Sequence, residues 1–332
     1  MSSHHGHDHP HGQDQKHDHG HNHDHHDGHN HGHHRGHGHT HAPSTFGTAF
    51  AIATALNVAL VAMQAIYGLL AHSMALLADA GHNAGDVLAL LLAWGSHAIS
   101  QRGPTERYTY GLRSTSIMAA LINATILLVV TGAIAWAAIE RFFDPQPVGG
   151  VTVMVVAALA IVINGAAAAI LARGNTEDLN VYGAFLHLVA DAAVSAGVVV
   201  AGLLILLTGW LWLDPAASLV ISAVIVWSTW GVLRDAVKMS LHGVPPQIDP
   251  GAVRVYLQSL PTVTDVHDLH IWPMSTTETA LTCHLVIPDG HPEPEFLDVV
   301  YVGLQQRFGI GHPTIQIARG DRPCKLSPAH IV

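Results

Sequence analysis

The chain has 332 residues, 49% of them hydrophobic and only 11% charged, against roughly a quarter charged in ordinary soluble domains, which argues against a single water-soluble globule. Its formal net charge of -10 excludes a generally basic protein that coats nucleic acid. Two cysteines, Cys283 and Cys324, are too few for a multi-bridge disulfide framework or a four-cysteine zinc module.

Composition shifts near Thr45 and again near His242, which divides the chain into a polar tail (1–45), a greasy middle (46–240) and a soluble-looking end (241–332). Residues 1–41 hold 18 of the 29 histidines, interleaved with Gly, Asp and Asn rather than in the unbroken run of an expression tag. Nothing apolar in this tail offsets the entropy of ordering it, so it is expected to be disordered. It has no apolar h-region and does not read as a signal peptide. Imidazole and carboxylate at this density bind zinc-class cations weakly and at many places, which suits buffering or feeding metal without one defined site.

The middle contains stretches free of Asp, Glu, Lys and Arg: Gly36 to Ala78, Val87 to Gln101, Ser114 to Ile139, Pro145 to Ala172, Ala192 to Leu213 and Pro215 to Leu233. Most supply the ~20 apolar residues that a bilayer-spanning helix requires. They predict a polytopic α-helical membrane protein with six transmembrane helices, at about 46–70, 75–99, 113–141, 150–173, 179–208 and 211–239. Turn residues fall between them: Arg102-Gly103-Pro104, Asp144-Pro145-Gln146-Pro147, Arg173-Gly174-Asn175 and Asp214-Pro215. A large soluble helical bundle would need polar outer faces, and these segments are apolar on all sides. Arg102, Arg107, Arg113, Arg173, Arg234 and Lys238 flank one side and only Arg141 the other, so both termini are expected in the cytoplasm.

From about 249 onward the pattern is that of a small α+β module. Helices are predicted at Pro250–Leu260 and Pro294–Phe308, and strands at Val263–Trp272, Thr279–Ile287 and Thr314–Ala318. Leu281, Cys283, Leu285 and Ile287 share one face of the middle strand, which makes Cys283 a core residue rather than a ligand.

Ionisable groups inside membrane spans are rare because each is costly unless paired, so they are functional candidates by default. They are Asp79, His82 and Asp86 in the second span and His187 and Asp191 in the fifth, while His72 and His97 lie near span ends. His82 and Asp86 are four residues apart, as are His187 and Asp191, so on a helix each pair shares one face a single turn apart. Two such helices facing each other offer two imidazole nitrogens and two carboxylate oxygens, a set that suits a tetrahedral divalent cation, zinc first. The competing reading is two structural His-Asp hydrogen bonds that lock the helices together. Two carboxylates balance a divalent ion; when it leaves, neutral His82 and His187 can each take a proton. That arithmetic predicts exchange of metal for protons rather than permanent binding.

The stretches SMALLADAGHNAGDVLALLLAWGS, RYTYGLRSTSIMAALINA, LNVYGAFLHLVADAAVSAGVV and HDLHIWPMSTTETALTCHLVIP closely resemble the cation diffusion facilitators, nearest their bacterial zinc, cobalt and cadmium efflux branch. The resemblance covers roughly Phe46 to Cys324. It implies a homodimer with six membrane helices per subunit and a cytoplasmic ferredoxin-like domain, exporting zinc-class ions against protons by alternating access. The family's transport-site positions fall on His82, Asp86, His187 and Asp191, and the two-His, two-Asp form resembles the zinc-preferring variant. Asp79 matches a further acidic position, for the proton path or for packing. Some relatives hold a second metal in the loop between the second and third spans, but SQRGPTERYTYGLRS has neither His nor Asp, and no metal is expected there. His267 and His284 match ligand positions of a cytoplasmic site whose acidic residue after the last strand is replaced by Ala318 and Arg319. His242, His312, Asp321 or Cys324 are the candidates to compensate, and His270 reads equally as a packing residue of its strand.

A membrane metalloenzyme would need an open coordination position and a general base, and H-E-x-x-H is missing; the chain is not expected to be an enzyme and no cofactor is implied, the divalent metal (Zn2+, with Co2+, Cd2+ or Ni2+ as alternatives) being cargo. A membrane-anchored zinc sensor or storage protein is the alternative, but it leaves the intramembrane carboxylates unexplained. The expected partners are a second copy, the lipid bilayer, divalent metal ions and protons. The connection between the fourth and fifth spans is short and has no histidine, unlike many organellar relatives, which favours a bacterial inner membrane.

Overall fold

The computed structural model describes residues 48–100, 102–172, 179–290 and 293–320. The His-rich tail, Arg173 with its connection, and Asp321 and Cys324 lie outside the described residues. Six long helices come first: α1 (Thr48–Leu70), α2 (Met74–Ser100), α3 (Thr115–Phe143), α4 (Gly150–Ala172), α5 (Leu179–Thr208) and α6 (Leu213–Ser240). Their bounds lie within two or three residues of the expected spans because continuous apolar runs interrupted only by Gly, Pro and Asp leave little choice of register. Four of them hold stretches long and apolar enough to cross a membrane: Thr115–Phe143, Gly150–Ile170, Tyr182–Thr208 and Leu213–Ser240. In α2 the groups Asp79, His82, Asn83 and Asp86 interrupt the apolar run.

Small residues at the inner faces let the helices approach closely. Ala71, Ala75, Ala78, Leu127, Val153, Ala157, Val198, Ile221 and Ile225 form the buried apolar centre. At Gly85 of α2 an added Cβ would come within 2.8 Å of Leu127 Cδ1 on α3, so any larger residue there would have to displace the Leu127 side chain. Large apolar side chains such as Val129, Ile170 and Trp227 face outward, as they do where the surroundings are lipid rather than water. α4 packs on α5 and α3 on α6, while α2 lies against α1, α3 and α6.

The start of α2 is held from α6. Asp214, fully buried, accepts the Met74 N–H at 2.6 Å, the Ala75 N–H at 3.3 Å and the Ser73 hydroxyl. These are orphan donors of a helix N-terminus, satisfied here by a carboxylate 140 residues away in sequence. Asp214 therefore caps a neighbouring helix as well as marking the α5–α6 turn that the sequence indicates.

The C-terminal module comprises α7 (Pro250–Gln258), β1 (Asp265–Pro273), β2 (Thr279–Val286), α8 (Pro294–Phe308) and β3 (Ile310–Ala318). Its sheet has the order β1-β2-β3, with β1 antiparallel and β3 parallel to β2. Asp249 caps α7 by accepting the Gly251 N–H at 2.8 Å, and α8 stops at Gly309, whose φ of 68° is left-handed. β3 begins four residues earlier than expected and runs through Pro313; it is an edge strand, where a residue without an N–H is tolerated. Leu281, Cys283, Leu285 and Ile287 are all buried in the module core with Val253, Leu257, Val300 and Leu304, as their alternation requires.

Candidate metal centre

α2 and α5 bring their four ionisable side chains together. His82 Nε2 lies 3.1 Å from Asp191 Oδ1, and His187 Nε2 lies 3.3 Å from Asp86 Oδ2. Within each helix the i,i+4 distances are longer, 3.9 Å for His82 to Asp86 and 3.6 Å for His187 to Asp191. The shorter contacts cross between helices, so each imidazole faces the other helix's carboxylate. Ligand atoms of His82, Asp86 and Asp191 all lie within 4.8 Å of one another, and the two imidazole rings stand edge to face with centroids 6.0 Å apart. Two neutral imidazoles and two carboxylates at these separations can close around one tetrahedral divalent ion and leave it near electroneutral.

The centre is deeper at one end. The Asp191 side chain is 7% exposed and that of His187 36%. Asp86 and His187 are the residues nearer the α2–α3 and α4–α5 connections, the end that also carries the C-terminal module, and their side chains are more open than those of His82 and Asp191.

One turn beyond the ligands is a second polar layer. Gln64 Nε2 of α1 donates to Asp79 Oδ2 at 2.6 Å, Ser195 Oγ of α5 donates to the same oxygen at 3.0 Å, and Asn83 Nδ2 donates to Gln64 Oε1 at 2.8 Å. Asp79 Oδ1 is buried without a hydrogen-bond partner among the described residues. Sequence reasoning identified Asp79 but missed Gln64, Asn83 and Ser195. One signal pointed to Ser195, the continuation of the stripe His187, Asp191 by one more helical turn.

In the C-terminal module His267 and His284 are register partners on β1 and β2, with ring centroids 5.2 Å apart. Asp268 sits in a bulge of β1 with a left-handed φ of 51°, which lets its carboxylate reach His270 Nε2 at 2.8 Å and His284 Nε2 at 3.4 Å. His270 is thus paired with Asp268 rather than packed within the core. His267 Nδ1 lies 3.5 Å from Asp265 Oδ2 without hydrogen-bond geometry, and neither of its ring nitrogens has a hydrogen-bond partner among the described residues. Of the compensating candidates, His312 lies edge-on to Tyr110 at 5.5 Å and His242 occupies a left-handed turn after α6. His72 forms the exposed α1–α2 turn and His97 the last turn of α2. Burial pushes the Cys283 thiol up to about 12, which keeps it an uncharged core group.

Residues 50–239 match the cation efflux transmembrane domain, and residues 245–319 match the cytoplasmic domain of cation efflux proteins. The chain is similar to the zinc transporter ZitB of Shigella flexneri, 36% identical over 271 residues that cover 81% of this chain and 86% of the relative. The cadmium, cobalt and zinc/H(+)-K(+) antiporter of Bacillus subtilis is 32% identical over 260 residues, 77% of this chain and 83% of the relative. The metal cation efflux system protein CzcD of Cupriavidus metallidurans is 33% identical over 279 residues, 84% and 88% of the two chains.

Proposed function

The chain belongs to the cation efflux family, the cation diffusion facilitators, in its zinc, cobalt and cadmium branch, and from that premise we propose that it exports zinc-class divalent cations across a membrane in exchange for protons, by alternating access. The family is one of transporters rather than of enzymes. The observation that carries the reading is the crosswise meeting of His82 with Asp191 and His187 with Asp86 between two membrane helices.

His82, Asp86, His187 and Asp191 are the transport ligands. Asp86 and Asp191 supply the two negative charges that make a loaded site near neutral, and His82 and His187 supply the nitrogens. When the ion leaves, the two carboxylates face a low dielectric without it, a state that draws protons onto the imidazoles. Return of metal displaces those protons, because a ligand nitrogen must be unprotonated. Metal and proton thus compete for the same atoms, and the coupling needs no further device.

All six long helices are taken to span the bilayer. In α2 the apolar content is diluted, but its polar groups Asp79 and Asn83 bond to Gln64 of α1 and Ser195 of α5, as buried polar residues in lipid do by finding partners on neighbouring helices. The excess of Arg and Lys at the end that bears the C-terminal module favours a cytoplasmic position for that module and both termini, with an inner membrane as the proposed setting. Residues 241–332 form a ferredoxin-like module through which two copies pair, with His267 and His284 as additional candidate ligands. Residues 1–45 are a metal-gathering tail, and residues 46–240 the translocating unit.

Zinc uptake into sealed vesicles, with a pH-sensitive dye in the lumen, tests this. Wild-type protein moves zinc and shifts lumenal pH in step with it. Asp191→Ala, folded by its elution from a sizing column, lowers flux by more than roughly 100-fold, the upper end of what groups that merely orient a metal's ligands are worth. Unchanged flux in that variant, or flux indifferent to a pH gradient, removes the proposal.

A further inference from the structure

The four ligands come from two helices that scarcely pack on each other: α2 lies against α1, α3 and α6, whereas α5 lies chiefly against α4. Something other than apolar packing must therefore set the gap between them. Asp79 precedes His82 by three residues and Ser195 follows Asp191 by four, so each lies on the same helix face as a ligand. Ser195 Oγ joins them directly by its 3.0 Å bond to Asp79 Oδ2, and Gln64 Nε2 holds that same oxygen from α1 at 2.6 Å. Gln64, Asp79 and Ser195 are each 0% exposed. A carboxylate with both donors on one oxygen and its other oxygen unpartnered is a costly thing to bury, and two carboxylates already balance the cargo without it.

We infer that Gln64, Asp79 and Ser195 are positioning residues that fix the separation of α2 from α5 and thereby the size of cation that His82, Asp86, His187 and Asp191 accept, favouring zinc over the larger cadmium ion. The inference rests on the transport reading above. Zinc is held at about 2.0 to 2.2 Å by nitrogen and oxygen, and a larger ion needs the two ligand pairs further apart. A three-helix tie one turn away resists that spreading; cutting the tie lets the gap relax toward the larger ion. Where ligand types do not discriminate, geometry does. If the layer served only to hold α1, α2 and α5 together, weakening it would impair both metals alike.

The test uses full-length protein in proteoliposomes, with kcat and KM measured separately for zinc and for cadmium in wild type, Ser195→Ala, Gln64→Met and the double variant. Each single change is expected to reduce the ratio of cadmium KM to zinc KM by about tenfold, the lower end of the effect of groups that orient metal ligands, with a smaller change in kcat. Because both act through Asp79 Oδ2, the double variant is expected to be no worse than the more severe single one. An unchanged ratio, including one where kcat falls equally for both metals, overturns the inference and leaves zinc transport standing; so do effects that multiply. Wild-type protein that moves neither metal brings down the transport reading and this inference with it. Should Gln64→Met fail to fold, Ser195→Ala, which removes a single oxygen atom, decides the matter alone.

Discussion

Cys283 and the four side chains clustered between α2 and α5 show how far surroundings decide what a side chain does. The thiol sits on the core face of β2, 1% exposed, and burial moves it from 9.0 to about 12, with Arg254 lowering it and Asp268 raising it to smaller extents. Only the thiolate is an effective nucleophile, so in a Cys324→Ser background iodoacetamide at pH 8 is expected to leave Cys283 unmodified in folded protein and to modify it after denaturation, read by mass spectrometry; rapid labelling of the native form would contradict this. The sign of the linkage follows. The unfolded chain ionises this thiol above about pH 9 while the folded chain keeps its proton, so the group withdraws stability from the module as pH rises from 9.0 towards 12. The cluster of His82, Asp86, His187 and Asp191 was legible because a four-residue spacing converts directly into one helix face. Gln64 was not, since a single amide acquires its role only from a partner 15 residues away, and no local pattern encodes that distance.

Helices and strands were the most legible level, and their ends the least. The apolar runs of α3 to α6 could be read directly, whereas β3 was expected only after Pro313, because a proline inside a strand is admissible only once the strand is known to be an edge. The start of α2 is the clearest case of an end decided elsewhere. Its first N–H groups are capped by Asp214 of α6 instead of by a neighbour in sequence, although Ser73 supplies a local cap to the Leu76 N–H at 3.1 Å. Asp214→Ala leaves the Met74 and Ala75 N–H groups and the Ser73 hydroxyl buried without this acceptor. Hydrogen bonds to a charged group are worth roughly 1.5 to 3 kcal/mol each in net terms; with partial relaxation, a loss of about 2 to 4 kcal/mol is expected. Thermal unfolding in detergent should show a clearly lower midpoint, and Ser73→Ala a smaller drop; an unaltered midpoint for Asp214→Ala would mean that α2 needs no anchor on α6.

The two halves of the molecule meet at a small polar junction. Arg113 pairs with Glu278, the Ser114 hydroxyl donates to the Met274 carbonyl at 3.1 Å, and the Thr276 N–H donates to Ser116 Oγ at 3.1 Å. The ion pair is largely solvent-exposed and contributes little by itself, so the two serine contacts define the junction. Loss of one such bond is worth about 1 kcal/mol, and Ser116→Ala is therefore expected to speed amide exchange of the 274–278 segment by about fivefold at Thr276, measured by hydrogen exchange and mass spectrometry, with the rest of β1 and β2 unaffected. This junction could not be foreseen from the chain, because it joins the start of one helix to a turn 160 residues later. The hairpin of β1 and β2 has its paired histidines at one end and that turn at the other, roughly 20 Å apart at the rise of a strand. One hairpin therefore carries both the paired histidines and the turn that touches the first turn of α3, the helix packed against α2.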